Sequence, residues 1–235
     1  METIGPAILI AFELIVTADR DLLEIVSLSL QVSLSAVALA ALIGVPLGAA
    51  LAVLRFPGRG AAIVLVNALM GMPPVVVGLA VYLALSAQGP LGVLELLYTP
   101  TAMVIAQVIL VTPIITALSR ASLAQMLVEY DETLRALGAG PLDTIGTLLW
   151  DARFALVTAL LAGLGRSLAD GCAVMLVGGN IDHLTRVMTT AIALETARGA
   201  LPLALGLGFV LLLMTLVLNA TVLALRARLE GPEHV

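Results

Sequence analysis

Apolar residues in this chain come in long unbroken runs, not in the alternation of a half-buried strand or the single stripe of a soluble helix. Five runs, at about 25–54, 61–87, 101–119, 154–178 and 203–225, each reach the length that carries an α-helix across a bilayer. They predict an all-α polytopic membrane protein with about five transmembrane helices; continuous runs exclude a membrane β-barrel. Residues 4–16 are apolar but too short to span, and Met1-Glu2 before them lacks the positive flank of a signal peptide. Residues 1–21 are therefore read as an interfacial, extracytoplasmic segment and 227–235 as a cytoplasmic tail.

One polar stretch, 120–153, interrupts the hydrocarbon. Leu123, Met126, Leu127, Tyr130, Leu134 and Leu137 fall at helical spacing and form an apolar stripe, with Glu129, Glu132 and Arg135 off it. Gly138 follows as a helix stop, and Gly140-Pro141 restarts the chain with proline at a first-turn position. Leu142, Ile145 and Leu149 give the next short helix an apolar face. From these residues alone, the insert is either a cytoplasmic hairpin packed under the bundle or a platform on which a soluble partner docks.

Composition agrees with the pattern: the 235 residues are 61% hydrophobic and 11% charged, where a soluble domain carries about a quarter charged residues. All eleven cations are arginine. Arg55, Arg59, Arg120, Arg135, Arg153, Arg226 and Arg228 fall on one side of the five-span topology, against Arg20, Arg186 and Arg198 on the other. The arginine-rich side is cytoplasmic by the positive-inside rule, so the N-terminus is expected outside and the C-terminus inside. Cys172 is the one cysteine, so no intrachain disulfide forms, and it reads as a small packing residue. His183 and His234 cannot build a metal site by themselves. Nothing in the chain suggests nucleic-acid binding.

Gly44-Val-Pro-Leu-Gly48 is a small-xxx-small pattern for close helix packing, within one chain or across a dimer. Pro73-Pro74 and Pro113 should kink the second and third spans. No internal repeat is evident, which argues against an inverted-repeat carrier. Five helices enclose a pathway poorly, so a homodimer with the path on its two-fold axis is expected. Arg166 and Asp170 stand four apart within the fourth span and could form an ion pair; a charge at that depth should pair or face a wet cavity. The loop Gly178–Arg186 and the hydroxyls of Thr189 and Thr190 could contact an anion, or serve as a plain connection and a helix cap. Glu195 and Arg198 suit a solvated pair.

The insert resembles the cytoplasmic signature E-A-A-x-x-x-G of ATP-binding-cassette (ABC) importer permeases. Glu132 and Gly138 match it, Thr133 and Leu134 replace the alanines, and Trp150 stands where the signature's closing proline is usual. Gly165-Arg-Ser-Leu-Ala-Asp-Gly-Cys-Ala-Val174 resembles the R-x-L-G-E-F-G-A stretch of oxyanion permeases, with Asp170 for glutamate. The run from Ala173 through Thr185-Arg-Val-Met-Thr-Thr-Ala-Ile-Ala-Leu-Glu-Thr196 is similar to the tungstate-type branch, and the likeness extends over about 22–226. The resemblance implies a type I importer permease domain whose insert is a coupling helix. It implies an ATPase partner on Glu129, Glu132, Arg135, Gly138 and Leu142, and an extracytoplasmic binding protein delivering tungstate or molybdate. A translocation path past Arg166, Asp170, Asn180 and Thr189 is also implied. ATP and Mg²⁺ would belong to the partner, since this chain has no GxxxxGK[ST] loop and is not itself an enzyme. A permease for another small anion such as sulfate, a proton-coupled carrier using Asp170, and a membrane scaffold remain the alternatives.

Overall fold

The computed structural model describes Leu9, Ile10, Phe12 and residues 20–230, with side chains through Ala224. Apart from those three residues, the expected interfacial segment up to residue 19 lies outside the described residues, as do 231–235, the end of the expected tail. The side chains of Arg226 and Arg228 are likewise outside. Every regular element among the described residues is helical: α1 Arg20–Val53, α2 Arg59–Met70, α3 Pro74–Leu85, α4 Pro100–Ala136, α5 Pro141–Asp151, α6 Arg153–Ala169, α7 Cys172–Gly178, α8 Met188–Ala197 and α9 Leu201–Glu230, with a 3₁₀ turn at Gly92–Leu94. Three of these, α1, α4 and α9, are long and apolar enough to cross a membrane; the number is five if the bent pairs α2–α3 and α5–α6 each count as one span.

Several elements differ from the sequence expectation, each for a local reason. The run 61–87 is two helices that meet at 98°. Gly71 ends α2, and Pro73 and Pro74 become the N-cap and first residue of α3, because proline there cannot continue a helix and restricts the residue before it. Pro113 instead stays within one continuous helix. That helix, α4, does not stop at 119 but runs through Ala136, absorbing the first half of the polar insert. No glycine or proline lies between 120 and 136 to stop it. The run 154–178 breaks at Asp170, whose ψ of 115° leaves the helix and separates α6 from α7.

Packing centres on α1 against α4, with α6, α2, α3 and α7 arranged around that pair. Association of helices in lipid depends on close van der Waals contact, which small residues permit. Gly44 and Gly48 do this within the chain: a Cβ on Gly48 would lie 2.8 Å from the Thr116 carbonyl oxygen and 2.9 Å from Ser119 Cβ. Along the pair the core divides into clusters, one of Val81, Met103, Ala106 and Val177, a middle one of Ala40, Val111, Ile115 and Leu164, and one of Ala49, Ala52, Leu123 and Leu148. Arg59 closes the end of α1, its Nε donating to the Leu51 carbonyl at 2.7 Å and Nη2 to Ala52 at 3.2 Å. Those carbonyls lack intrahelical partners, so the cation is well placed.

Candidate functional site

The polar insert forms a two-helix foot at one end of α1. Leu123, Met126, Leu127 and Tyr130 of α4 pack with Leu148, Ile145 and Leu149 of α5 against Ala49, Ala52 and Val53 of α1. Leu137 has left the stripe, because α4 ends beside it in a left-handed turn. Gly138 has φ +71°, its N–H donates to the Arg135 carbonyl, and the Ala139 N–H donates to Leu134, each at 3.0 Å. This is the two-bond C-terminal cap that a glycine permits. The chain then restarts with Pro141 at the first position of α5, and the Asp143 carboxylate accepts from the Gly140 N–H at 3.2 Å. An acid in the first turn also complements the helix dipole.

This turn leaves apolar side chains in the open. Leu137 is 78% exposed, Leu142 82% and Trp150 71%. Leu142 therefore does not share the buried face of Ile145 and Leu149, contrary to the periodicity: it sits at the tip of α5, beyond the reach of α1. Glu129, Glu132 and Arg135 are exposed as well. Arg135 pairs with Asp131 at 2.9 Å, one turn back on α4. Arg153 lies over the Trp150 ring, 5.1 Å from its centroid, a cation–π contact that fixes the indole at the end of α5.

The charges of the fourth run are arranged differently from expectation. Arg166 and Asp170 form no ion pair within 4.0 Å. Asp170 has turned out of the helix, and its Oδ1 accepts from the Cys172 N–H at 3.2 Å, at the start of α7. Asp170 and Thr189 line a small cavity of mixed character with Ser29, Ser33, Gln107 and Ser167 and apolar side chains such as Val32 and Met188, whereas Arg166 and Asn180 do not line it. Gln107 carried no expectation from the sequence, although an amide within an apolar run is itself a signal, since a buried polar group there demands a partner. Its Nε2 donates to the Ser167 carbonyl at 3.1 Å.

Asn180 lies in the connection after α7, with φ +51° and a buried Oδ1 that has no hydrogen-bond partner. Capping of α8 falls to Thr190, whose Oγ1 accepts from the Val187 N–H at 3.0 Å; Thr189 packs on Gly171 instead. The same connection is tied to the start of α1. His183 Nδ1 meets Glu24 Oε2 at 2.9 Å, and the Met188 N–H donates to Ser29 Oγ at 2.9 Å. The hydrogen bond to Glu24 raises the His183 pKa above its ordinary value, helped by the charges of Asp182, Glu24 and Asp21 and slightly opposed by desolvation. Arg186 pairs with Asp182 at 2.6 Å and Arg198 with Glu195 at 2.8 Å. The connection and the foot thus occupy opposite ends of α1.

Residues 44–231 match the family model described as binding-protein-dependent transport system inner membrane component. The chain belongs to this permease family. Its fold is that of the type I ABC importer permease, and it is a multi-pass membrane component of a transporter. Among permeases it is similar to the tungstate uptake system permease protein TupB of Peptoclostridium acidaminophilum, 38% identical over 96% of this chain and 99% of that protein. A probable anion ABC transporter permease protein of Haloferax volcanii is 38% identical over 89% of this chain and 93% of its own length. The molybdenum transport system permease protein ModB of Azotobacter vinelandii is 28% identical over 74% and 80%. An ABC permease works with an ATPase and a substrate-binding protein, and the chemistry of ATP lies with the ATPase.

Proposed function

We propose that this permease is the membrane subunit of an ATP-driven, binding-protein-dependent importer of a group 6 oxyanion, tungstate before molybdate. The observation that carries the coupling half of this reading is the foot: a glycine-capped helix end and a proline-started helix that together hold three exposed apolar side chains near the exposed acids Glu129 and Glu132. Exposed apolar groups gathered in one place mark an interaction surface. Leu137, Leu142 and Trp150 would fill the ATPase groove, and Glu132 would meet a basic residue of that subunit. Because α5 packs on α1 and α4, a push on the foot reaches two membrane-crossing helices as a rigid-body movement, which is what alternating access requires.

The substrate half rests on the two relatives named for tungstate and molybdenum, with the closer likeness on the tungstate side. Two copies would form the pathway on a two-fold axis, the N-terminus outside and the C-terminus in the cytoplasm. Arg166, Asp170, Asn180 and Thr189 are its candidate lining, with Arg166 the permanent cation that draws an anion in. ATP and Mg²⁺ are consumed by the ATPase.

Cellular tungsten and molybdenum in a deletion strain and its parent, at trace concentrations of both anions, test the reading. Selective loss of tungsten is expected, restored by the wild-type chain and not by Glu132→Ala. Loss of molybdenum alone would keep the mechanism and change the substrate. Unchanged levels of both metals would overturn the reading in favour of another anion, a carrier or a scaffold.

A further inference from the structure

Among the residues that line the small cavity at the α6–α7 break, three carry a buried oxygen that no described residue satisfies. Gln107 is 1% exposed, Ser167 2% and Asp170 7%. Gln107 Oε1, Ser167 Oγ and Asp170 Oδ2 are each buried without a hydrogen-bond partner. The Gln107 amide is oriented by its Nε2, which donates to the Ser167 carbonyl, so the atom left over is the acceptor. Asp170 is oriented in the same way, one oxygen held by the Cys172 N–H and the other left over. Buried acceptors are costly when unmatched, and a carboxylate is the most costly of them. Arg166 forms no ion pair with Asp170 and does not line the cavity, so its charge reaches the carboxylate only at longer range.

We infer that the carboxylate of Asp170, the amide oxygen of Gln107 and the hydroxyl of Ser167 form a binding site for one sodium ion. A carboxylate, an amide carbonyl and a hydroxyl are hard oxygen ligands, the set that suits hard cations and not soft metals. One carboxylate balances one positive charge. Asp170 is the one carboxylate lining the cavity, with no histidine or cysteine beside it, so a divalent ion would be left half-balanced. The cavity, about 20 Å³, admits a single water-sized sphere. The site also lies at the carboxyl end of α6, where the helix dipole favours a cation. Such an ion would pin the end of α6 to α4 through Gln107 and to the start of α7 through Asp170. It would also cancel a negative charge close to a proposed anion route. The inference goes beyond the transport reading and does not depend on it.

The test is thermal unfolding of the full-length chain in lipid nanodiscs, at constant ionic strength, with sodium, potassium or N-methylglucamine chloride. Binding to the folded state alone raises the midpoint with sodium in a saturable way; a rise of roughly 3–6 °C is expected at about ten times the dissociation constant. Asp170→Asn should abolish the sodium response, and Ser167→Ala should raise the half-saturating concentration several-fold. If Asp170→Asn does not fold, Ser167→Ala decides. Equal midpoints in all three salts, or a sodium response unchanged in Ser167→Ala, would overturn the site and leave a water or a protonated carboxyl in its place. Neither readout involves tungstate or ATP, so failure here leaves the transport reading standing, and the reverse also holds.

Discussion

Gly138 joins backbone conformation to function most directly. Its φ of +71° costs a side-chain-bearing residue about 1–2 kcal/mol, while nothing lies within 4 Å of an added Cβ. Gly138→Ala should therefore lower stability by about that amount without steric damage, and denaturant or thermal unfolding measures it. Glycine 138 was legible in the sequence because it follows an apolar stripe and precedes Gly140-Pro141. The Asp170 side chain was not legible. Four-residue spacing to Arg166 promised an ion pair, but spacing fixes a face only while the helix continues, and the helix ends at Ala169. Gln107 could have been singled out as a lone amide within the third apolar run; its partner could not, because Ser167 lies sixty positions away.

At the scale of elements, hydropathy located the apolar runs but not their breaks. It counts residues, whereas the breaks depend on a few backbone-limited positions. Pro73-Pro74 turned a kink into a 98° corner, and Pro113 left α4 as one helix. The difference is that Pro113 has a long helix on both sides, while Gly71 already ends α2 before the proline pair. The same limit hid the outward face of α5. Periodicity grouped Leu142 with Ile145 and Leu149, yet the helix projects past α1 and only the later residues find a partner. A prediction follows for this element. Leu142→Asp changes a side chain that touches no core, so the midpoint of unfolding should move by less than about 0.5 kcal/mol equivalent. Copurification of the ATPase should fall at least tenfold. Normal ATPase retention in a folded Leu142→Asp chain would remove α5 from the docking surface.

Across the whole molecule, α1 is about 50 Å long by its residue count, longer than the hydrocarbon core of about 30 Å. Each end is bound to a different part of the chain, Ala49 and Ala52 to the foot and Glu24 to the connection before α8. The bond between Glu24 and His183 makes one end respond to pH. The folded pKa of His183 lies above the ordinary value of 6.5. Its contribution is fully present below about 6.5 and is lost as pH rises through the raised folded value. The unfolding midpoint should thus decline over that window, and His183→Gln should flatten the decline; an identical pH profile in the variant would show that the exposed pair adds nothing.

The two ends also give a geometric prediction about sidedness. In the proposed orientation the foot is cytoplasmic and the connection outside, and the contacts of α1 require the two to be far apart whatever the orientation. In a Cys172→Ser background, His183→Cys should react with a membrane-impermeant thiol reagent in intact cells, and Leu142→Cys only after permeabilisation. Both positions are exposed, so access across the bilayer, not burial, decides the result. Labelling in the opposite order would invert the chain and turn the proposed ATPase surface outward, where no ATP is supplied. Labelling of both in intact cells would mean that 50 Å of helix does not separate them, and that α1 lies along the membrane instead of crossing it.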